Sequence, residues 1–246
     1  MTTNVFDISA GILASDSRWS YRINDGYQAT TAIVYVDNTE FDKLEFDPNF
    51  SLIFAGNSGL ISAWKDWIRL PIKNLVPRPQ VIDDFAMCLV RNKTKDVVFE
   101  HGQKIVDAAY RFAGTGAYPA HSCWTANKNA KKAIKSAQLT DHFSGGDVKY
   151  LDIVSAKHNF NPSGQLNSIN AAILKRGMVM YTADNKPISI HDAAQNDPRV
   201  KDLVNKIASG GMSADAPSGL DKIVWTETDV KRLDAALEDC FGPLAK

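Results

Sequence analysis

The sequence predicts an α+β fold, with strands concentrated in the first half of the chain and helices between and after them. Residues 30–36 are apolar and β-branched, which is typical of a strand. Residues 58–69 carry apolar side chains at helical spacing and are followed by Pro71, which is typical of a helix with one buried face. The 246 residues are 44% hydrophobic and 23% charged, the composition of a globular protein with a sizeable core.

The start of the chain predicts a hairpin. Residues 3–8 have the pattern of a strand, residues 9–11 that of a turn, and residues 12–14 that of a second strand. This hairpin returns the chain toward its own start, so we expect Asp16 and Arg18 to lie near the first residues.

The middle of the chain contains further strands. The apolar run 51–55 ends at Gly56 and predicts a buried strand, and a proline-containing connector follows at 74–80. The next stretch, 86–90, fits either a strand or part of a short helix that begins at Val81. The candidate strands after the connector are residues 86–90, 96–100 and 104–113.

The second half alternates between the two kinds of element. A last helix is predicted to begin at Thr226 or Thr228, either of which can cap it, and to end at Cys240. We expect one domain, residues 1–246, in which residues 160–246 form a C-terminal extension. The other predicted elements are a helix at 127–139, a strand at 148–154, a hairpin at 178–181 and 187–190, a helix at 200–208 and a loop at 210–219.

Composition excludes several functional classes. The formal net charge is zero, which provides no basic surface for nucleic acid, and no apolar run is long enough to span a bilayer. No signal peptide is apparent, and the three cysteines lie far apart without a CxxC motif, so we expect a cytoplasmic protein. The five histidines show no ligand spacing, so we expect neither a metal nor a cofactor.

Thr2 is the most informative residue. Removal of Met1 leaves Thr2 with a free α-amine beside its own hydroxyl. An N-terminal amine can accept the hydroxyl proton, so such a threonine carries its own base. The pKa of an α-amino group is about 8, which lies close to working pH, where a general base is most effective.

Four separated blocks strengthen this interpretation through their order. They are Thr2-Thr3 with the run from Gly11 to Arg18, then Lys43 with Ala55-Gly56, then Gly114-Thr115-Gly116, and finally the run from Asp141 to Gly146. Together they resemble the proteasome β-subunit superfamily of N-terminal nucleophile hydrolases, which includes the bacterial HslV, Anbu and bacterial proteasome-homologue peptidases. The resemblance covers residues 2–153.

The resemblance implies a four-layer αββα sandwich, in which two stacked antiparallel sheets are flanked by helices. It also implies a role for each matching residue. Thr2 is the expected nucleophile, Lys43 lies by its hydroxyl, and Asp16 holds Lys43 charged and oriented. The backbone N–H of Gly56 is the expected oxyanion donor.

Three further residues complete the implied site. Thr115, Asp141 and Ser144 are expected to form a hydrogen-bonded set around the Thr2 amine. Thr115 stands where the family usually has serine, which keeps the hydroxyl and adds a methyl group.

Each of these residues also has an ordinary structural interpretation. Lys43 lies in a charged stretch that is typical of an exposed surface, and Asp16 could cap a turn. Thr115 between two glycines could mark a tight turn, and Asp141 and Ser144 could mark a helix end.

Chain lengths between the blocks depart from the family. Some ten residues more than expected separate Arg18 from Lys43, and some twenty fewer separate Gly56 from Thr115. The missing length falls where the family has its second long helix, so we expect that helix to be shortened or absent.

The expected function is a threonine-type endopeptidase or amide hydrolase within self-compartmentalised, stacked homo-oligomeric rings. Its substrate is expected to be a peptide or unfolded protein, while an ATPase partner is possible in the family but has no support in this sequence. Two alternatives stay open. One is a small-molecule amidohydrolase on the same fold. The other is a non-catalytic ring subunit, which applies if Met1 is retained.

Overall fold

The computed structural model describes residues 2–25, 27, 29–217 and 222–245. Met1 and the end of the predicted 210–219 loop lie outside the described residues. The fold is α+β, with two antiparallel sheets and helices, which confirms the predicted class. The described helices are α1 Ser58–Arg69, α2 Ala117–Asn127, α3 Ala130–Ala137, α4 Asn167–Arg176, α5 Ile190–Asn196, α6 Pro198–Ala208 and α7 Glu227–Phe241.

The first sheet contains the start of the chain. Its six strands are, in spatial order, β12 Lys157–His158, β11 Lys149–Asp152, β2 Ile12–Ser15, β1 Thr3–Asp7, β10 Tyr110–Gly114 and β9 Gln103–Asp107. Strand β1 pairs with β2 on one side and with β10 on the other. Thr3 therefore lies opposite Gly114, and Asn4 lies opposite Ser15.

Among the described residues, the second sheet contains nine strands. In spatial order, eight of them are β14 Pro187–Ser189, β13 Met178–Tyr181, β4 Thr30–Val36, β3 Trp19–Asn24, β15 Asp215–Ala216, β6 Phe50–Asn57, β7 Ala86–Arg91 and β8 Val97–His101. The ninth strand, β5 Leu44–Phe46, pairs with β6. Residues 86–90 therefore lie in a strand and not in a helix.

Among the described residues, the three largest of five groups of buried side chains hold these elements together. One joins the two sheets and includes Phe6 and Leu13 of the first sheet with Ile53 and Val90 of the second. Another lies between the first sheet and α2 and α3. The largest lies between the second sheet and α1, α4, α5, α6 and α7.

Helix α1 has the predicted bounds and follows directly from β6. The Asn57 side chain accepts hydrogen bonds from Gly59 N and Leu60 N, which caps the helix. Its apolar face is buried and includes Trp64 and Trp67. After α1, residues up to 115 contain one 3₁₀ turn, Lys73–Leu75, and no further helix, and every one of these residues is described. This agrees with the expectation that a second helix is shortened or absent here.

The strand predicted at 104–113 is wrong in extent. The structure has β9 and β10 there, joined by a turn in which Ala109 N donates to Asp107 Oδ1 at 3.0 Å. An aspartate that bonds its own backbone two residues on favours a turn over a continuing strand.

The helix predicted at 127–139 is also wrong at its start. Lys128 adopts a left-handed conformation with φ 48°, and Asn129 caps α3 by accepting from Lys132 N. The preceding α2 was not predicted, because its buried residues are mainly alanines and produce no strong apolar periodicity.

Residues 160–245 are an integral part of the packing where they are described. Ile173 of α4, Leu203 of α6 and Leu233 of α7 lie in the same buried group as Trp19 and Phe54. The prediction of a loop throughout 210–219 is wrong, because this stretch contains strand β15. The longer spacing between Arg18 and Lys43 contains β3 and β4, which form a hairpin.

Candidate active site

Asp16 lies at the centre of the predicted site, directly after β2. Its carboxylate accepts five hydrogen bonds. On Oδ1 the donors are the Thr2 hydroxyl, Thr3 N at 2.9 Å and Lys43 Nζ at 3.0 Å. On Oδ2 they are Arg18 N and Gly145 N, each at 3.1 Å. Asp16 is 1% exposed, so these donors replace the water that its charge would otherwise require.

Lys43 precedes β5 and is 1% exposed. Its ammonium donates to the Asp16 carboxylate and to Asp16 O at 2.9 Å. Burial lowers the pKa of Lys43 below its ordinary value, and the adjacent Asp16 carboxylate opposes that shift. The interpretation of this charged stretch as exposed surface is therefore wrong for Lys43, because the tertiary structure supplies it with a counter-ion.

Thr2 immediately precedes β1. Its hydroxyl donates to the same Asp16 oxygen that binds Lys43 Nζ. Thr2 has no exposed surface. Three of the predicted residues, Thr2, Asp16 and Lys43, therefore form one buried group with the hydroxyl and the ammonium on a shared carboxylate oxygen.

Thr115, Asp141 and Ser144 form a second group. Asp141 Oδ2 accepts from the Thr115 hydroxyl at 2.7 Å and from the Ser144 hydroxyl at 2.6 Å. Ser144 Oγ also lies 2.6 Å from the hydroxyl of Thr3. The second group thus reaches the residue next to Thr2. A side chain at Gly116 would collide with the Thr3 hydroxyl, so glycine permits this contact.

The segment 142–145 connects the two groups. Gly145 N donates to Asp16, and Ser17 N donates to Gly145 O at 3.0 Å. Arg18 forms a paired contact with Asp37 at 2.8 Å for each bond and donates from Nη1 to His142 O at 2.7 Å. These contacts fix the segment after α3 against the end of β2.

Gly56 lies near the end of β6, two residues after Phe54, which contacts the backbone of Lys43. Asn4 Nδ2 donates to Phe54 O at 2.9 Å, and Phe54 N donates to Lys43 O at 2.9 Å. The φ of Gly56 is +127°, and a Cβ there would lie 2.9 Å from Asp84 O. Both facts require glycine.

A cleft of about 620 Å³ opens at Gly56. Its walls come from β3, the end of β6, the segment before β7 and the region around β15. Its charged lining residues are Arg22, Asp83, Asp84, Asp215 and Lys222. Burial raises the pKa of Asp215, whose carboxylate lies 3.4 Å from Asn57 Nδ2. A second cleft of about 650 Å³, lined by the loop after α1 and the end of α7, contains none of the predicted site residues.

A buried charged cluster next to Lys43 was not predicted. Lys65 of α1 has no exposed surface, donates to Asp42 O at 2.9 Å, and lies 3.7 Å from Glu45 Oε2. Arg69 lies 2.5 Å from the same glutamate oxygen. Burial lowers the pKa of Lys65 to about 8 and raises that of Asp42. Lysine and glutamate are rarely buried, so composition gives no signal for this cluster.

Lys65 contacts the backbone next to the candidate site. Two successive backbone carbonyls are held in place here. The carbonyl of Asp42 accepts from Lys65 Nζ, and the carbonyl of Lys43 accepts from Phe54 N. Lys65 therefore helps to position the backbone that carries Lys43.

The described residues contain no group of three or more His, Cys, Asp or Glu side chains arranged to hold a metal ion. Across the same residues, no helix combines the length and the apolar character needed to cross a membrane.

Comparisons with known proteins identify similar solved structures but no family. No family model matches the chain, and no curated protein matches it. Among solved structures, the chain is similar to eukaryotic HslV from Trypanosoma brucei, with 13% sequence identity and a TM-score of 0.33. The similarity covers 61% of this chain and 96% of that one.

Proposed function

We propose that this protein is an N-terminal threonine hydrolase that cleaves amide bonds with Thr2. The observation that carries the proposal is the buried group in which the Thr2 hydroxyl and Lys43 Nζ share one oxygen of Asp16. A buried lysine–aspartate pair is expensive to desolvate, so its position against a threonine hydroxyl favours a chemical role.

In the proposed reaction, the Thr2 hydroxyl attacks the amide carbonyl carbon, and its proton passes to the α-amine that Met1 removal frees. Lys43 stabilises the developing negative charge on the threonine oxygen. The protonated amine then donates to the departing nitrogen, which leaves an ester on Thr2. Water hydrolyses this ester and restores the hydroxyl.

Gly56 is the proposed oxyanion donor. Its backbone N–H would bind the carbonyl oxygen as that oxygen becomes negative. The cleft at Gly56 supports this role, because it reaches a residue that carries no side chain.

Thr115, Asp141 and Ser144 are proposed to orient the Thr2 amine and to relay its protons. Their mutual hydrogen bonds and the contact of Ser144 with Thr3 support this role. Thr3 joins them as a residue that places the set beside the chain start.

The wider proposals rest on the sequence resemblance. They are a single αββα domain, assembly into stacked homo-oligomeric rings, a peptide or unfolded protein as substrate, and a cytoplasmic location. The layer order has support from the three buried groups, since one lies between the sheets and the others lie between a sheet and helices.

A non-catalytic subunit is the second candidate function. The observation that favours it is that Thr2 has no exposed surface. A chain that retains Met1 would keep the Thr2 nitrogen in a peptide bond and would lack the proposed base.

Intact mass spectrometry tests the proposal. We expect the purified protein to have lost Met1, and a peptide epoxyketone or a β-lactone to add once, at Thr2. Thr2→Ala should abolish both the adduct and any hydrolysis while leaving the unfolding midpoint nearly unchanged, and Thr2→Ser is the matched control that keeps a hydroxyl.

Labelling at Cys88, Cys123 or Cys240 would indicate a thiol enzyme instead. Retained Met1 without an adduct would favour the non-catalytic subunit.

A further inference from the structure

Strand β15 joins two parts of the second sheet. It pairs antiparallel with β3 through Asp215 and Ser20, and antiparallel with β6 through residues 56 and 57. The strand order among described residues runs β3-β15-β6, with no direct ladder between β3 and β6. Adjacent strands lie about 4.8 Å apart, so β3 and β6 are separated by a slot that is one strand wide.

The register of β15 places this strand directly opposite Gly56, the proposed oxyanion donor. Ser58 N donates to Ala214 O at 2.9 Å, Asp215 lies opposite Asn57, and Ala216 lies opposite Gly56. Hydrogen-bonded and non-hydrogen-bonded pairs alternate in an antiparallel ladder. Gly56 and Ala216 therefore form the next pair that exchanges backbone hydrogen bonds. In this pair, the carbonyl oxygen of Ala216 faces the backbone N–H of Gly56.

The strand is short and is held mainly by its backbone. It has two residues, and Ala214 and Ala216 are buried but small. The net contribution of an intramolecular hydrogen bond to stability is small, so a few such bonds can be exchanged for equivalent bonds to another extended chain.

We infer that residues 214–216 are a resident pseudosubstrate, a segment that occupies the slot between β3 and β6 and must leave before substrate can bind. The inference rests on the proposed function, because the role of Gly56 makes this slot a substrate site. The backbone groups lining the slot recognise an extended polypeptide by strand addition, which favours a peptide over a small-molecule amide as substrate.

A reversible disulfide tests the inference directly. Asn57 and Asp215 form a non-hydrogen-bonded pair, whose Cα atoms lie about 4.5 Å apart in an antiparallel ladder, within the range for a disulfide. The double variant Asn57→Cys/Asp215→Cys should therefore lock β15 in place when oxidised and release it when reduced. The reduced form of the same variant is the matched control for the altered cap of α1, and oxidised wild type controls for the three native cysteines.

Two probes of Thr2 separate the slot from the nucleophile. A peptide epoxyketone needs the slot, whereas a small β-lactone needs only access to Thr2. We expect oxidation to slow modification by the epoxyketone at least tenfold, with the β-lactone rate unchanged, and reduction to restore the epoxyketone rate.

A releasing variant tests the opposite direction. Asp215→Pro removes a backbone N–H from the interior of the sheet, where proline is disfavoured. We expect faster modification by the epoxyketone than in wild type and an unchanged β-lactone rate. The locked variant remains decisive if this one does not fold.

The outcomes distinguish the two proposals. Failure of the disulfide to form would contradict the pairing, and equal epoxyketone rates in both redox states would overturn the pseudosubstrate; in either case, β-lactone labelling of Thr2 would leave the proposed function standing. Absence of Thr2 labelling by both probes in every form would overturn the proposed function, and the inference with it.

Discussion

At the scale of single residues, the Asp16 carboxylate organises the candidate site. It accepts from Thr2, Thr3 and Lys43 on one oxygen, and from two backbone N–H groups on the other. Each donor comes from a different position along the chain, so the carboxylate joins the chain start to the segments around residues 43 and 145. The position of Lys43 against Thr2 depends on this one buried acid.

Lys43→Ala should lower the rate of Thr2 modification by about 10²–10³-fold, because loss of one group that stabilises a developing negative charge typically costs that much. The rate of β-lactone adduct formation measures this loss, and the unfolding midpoint shows whether the variant is still folded. A decrease below tenfold in a folded variant would mean that Lys43 has no part in the chemistry. Lys201→Ala, at an exposed position, is the matched control.

Lys65 should make stability depend on pH. Its pKa in the fold is about 8, below the ordinary value of 10.5, so between these values the unfolded chain holds a proton that the native chain has released. Stability therefore rises with pH across this window.

Lys65→Met removes this rise. We expect the free energy of unfolding of wild type, relative to the variant, to increase by about 1–2 kcal/mol between pH 7 and pH 9.5, measured by urea denaturation. The exposed Lys201→Met should show no such pH-dependent difference. A constant difference between wild type and Lys65→Met across this range would contradict the lowered pKa.

At the scale of elements, the site depends on where strands end and helices begin. Asp16 directly follows β2, and Gly56 lies near the end of β6, before the Asn57 cap of α1. The Thr115 side chain follows β10, and the segment with Asp141 and Ser144 follows α3. The strands and helices therefore supply a rigid frame, and the chemistry-bearing side chains lie at its ends.

Helix α7 belongs to the main core, although it lies in the C-terminal extension. Leu233 of α7 has no exposed surface and is part of the buried group that contains Trp19 and Phe54. We expect Leu233→Ala to lower the free energy of unfolding by about 2–5 kcal/mol, since it leaves a cavity in the core. Urea denaturation measures the change, with Leu139→Ala as control because Leu139 is 85% exposed. Equal effects of the two variants would show that α7 packs only loosely.

At the scale of the whole molecule, residues from both halves of the chain build the second sheet and its core. Strands β13 and β15 come from beyond residue 160 and pair with strands formed before residue 60, and β14 extends the sheet by pairing with β13. The cleft at Gly56 likewise has walls from residues 21–24, 212–217 and 222. The C-terminal extension therefore shapes the proposed substrate site.

The proposed ring assembly has a direct physical consequence. We expect the purified protein to sediment as a particle many times heavier than the 27.0 kDa chain, and the Thr2→Ala variant to do the same. Analytical ultracentrifugation measures this mass. A monomer under all conditions would contradict the rings and would leave the role of Thr2 to be judged by labelling alone.

Much of the element pattern could be predicted because it depends on local periodicity. Helix α1 and strand β4 have the predicted bounds, and the cap of α7 is one of the two threonines predicted. The hairpin within residues 103–114 and helix α2 could not be predicted in this way. The hairpin depends on a hydrogen bond from Ala109 N to the Asp107 side chain at its turn. Helix α2 buries mainly small residues, which carry little hydrophobic signal.

By itself, the sequence determined the α+β class and a set of candidate residues whose order along the chain resembles one family. Residue identity and spacing are sufficient for such inferences. The tertiary structure alone decided that Lys43 and Lys65 are buried, that Ser144 contacts Thr3, and that β15 lies against Gly56. These features join residues distant in sequence, and the burial of a charge or the pairing of a two-residue strand is set by the partners that the fold supplies.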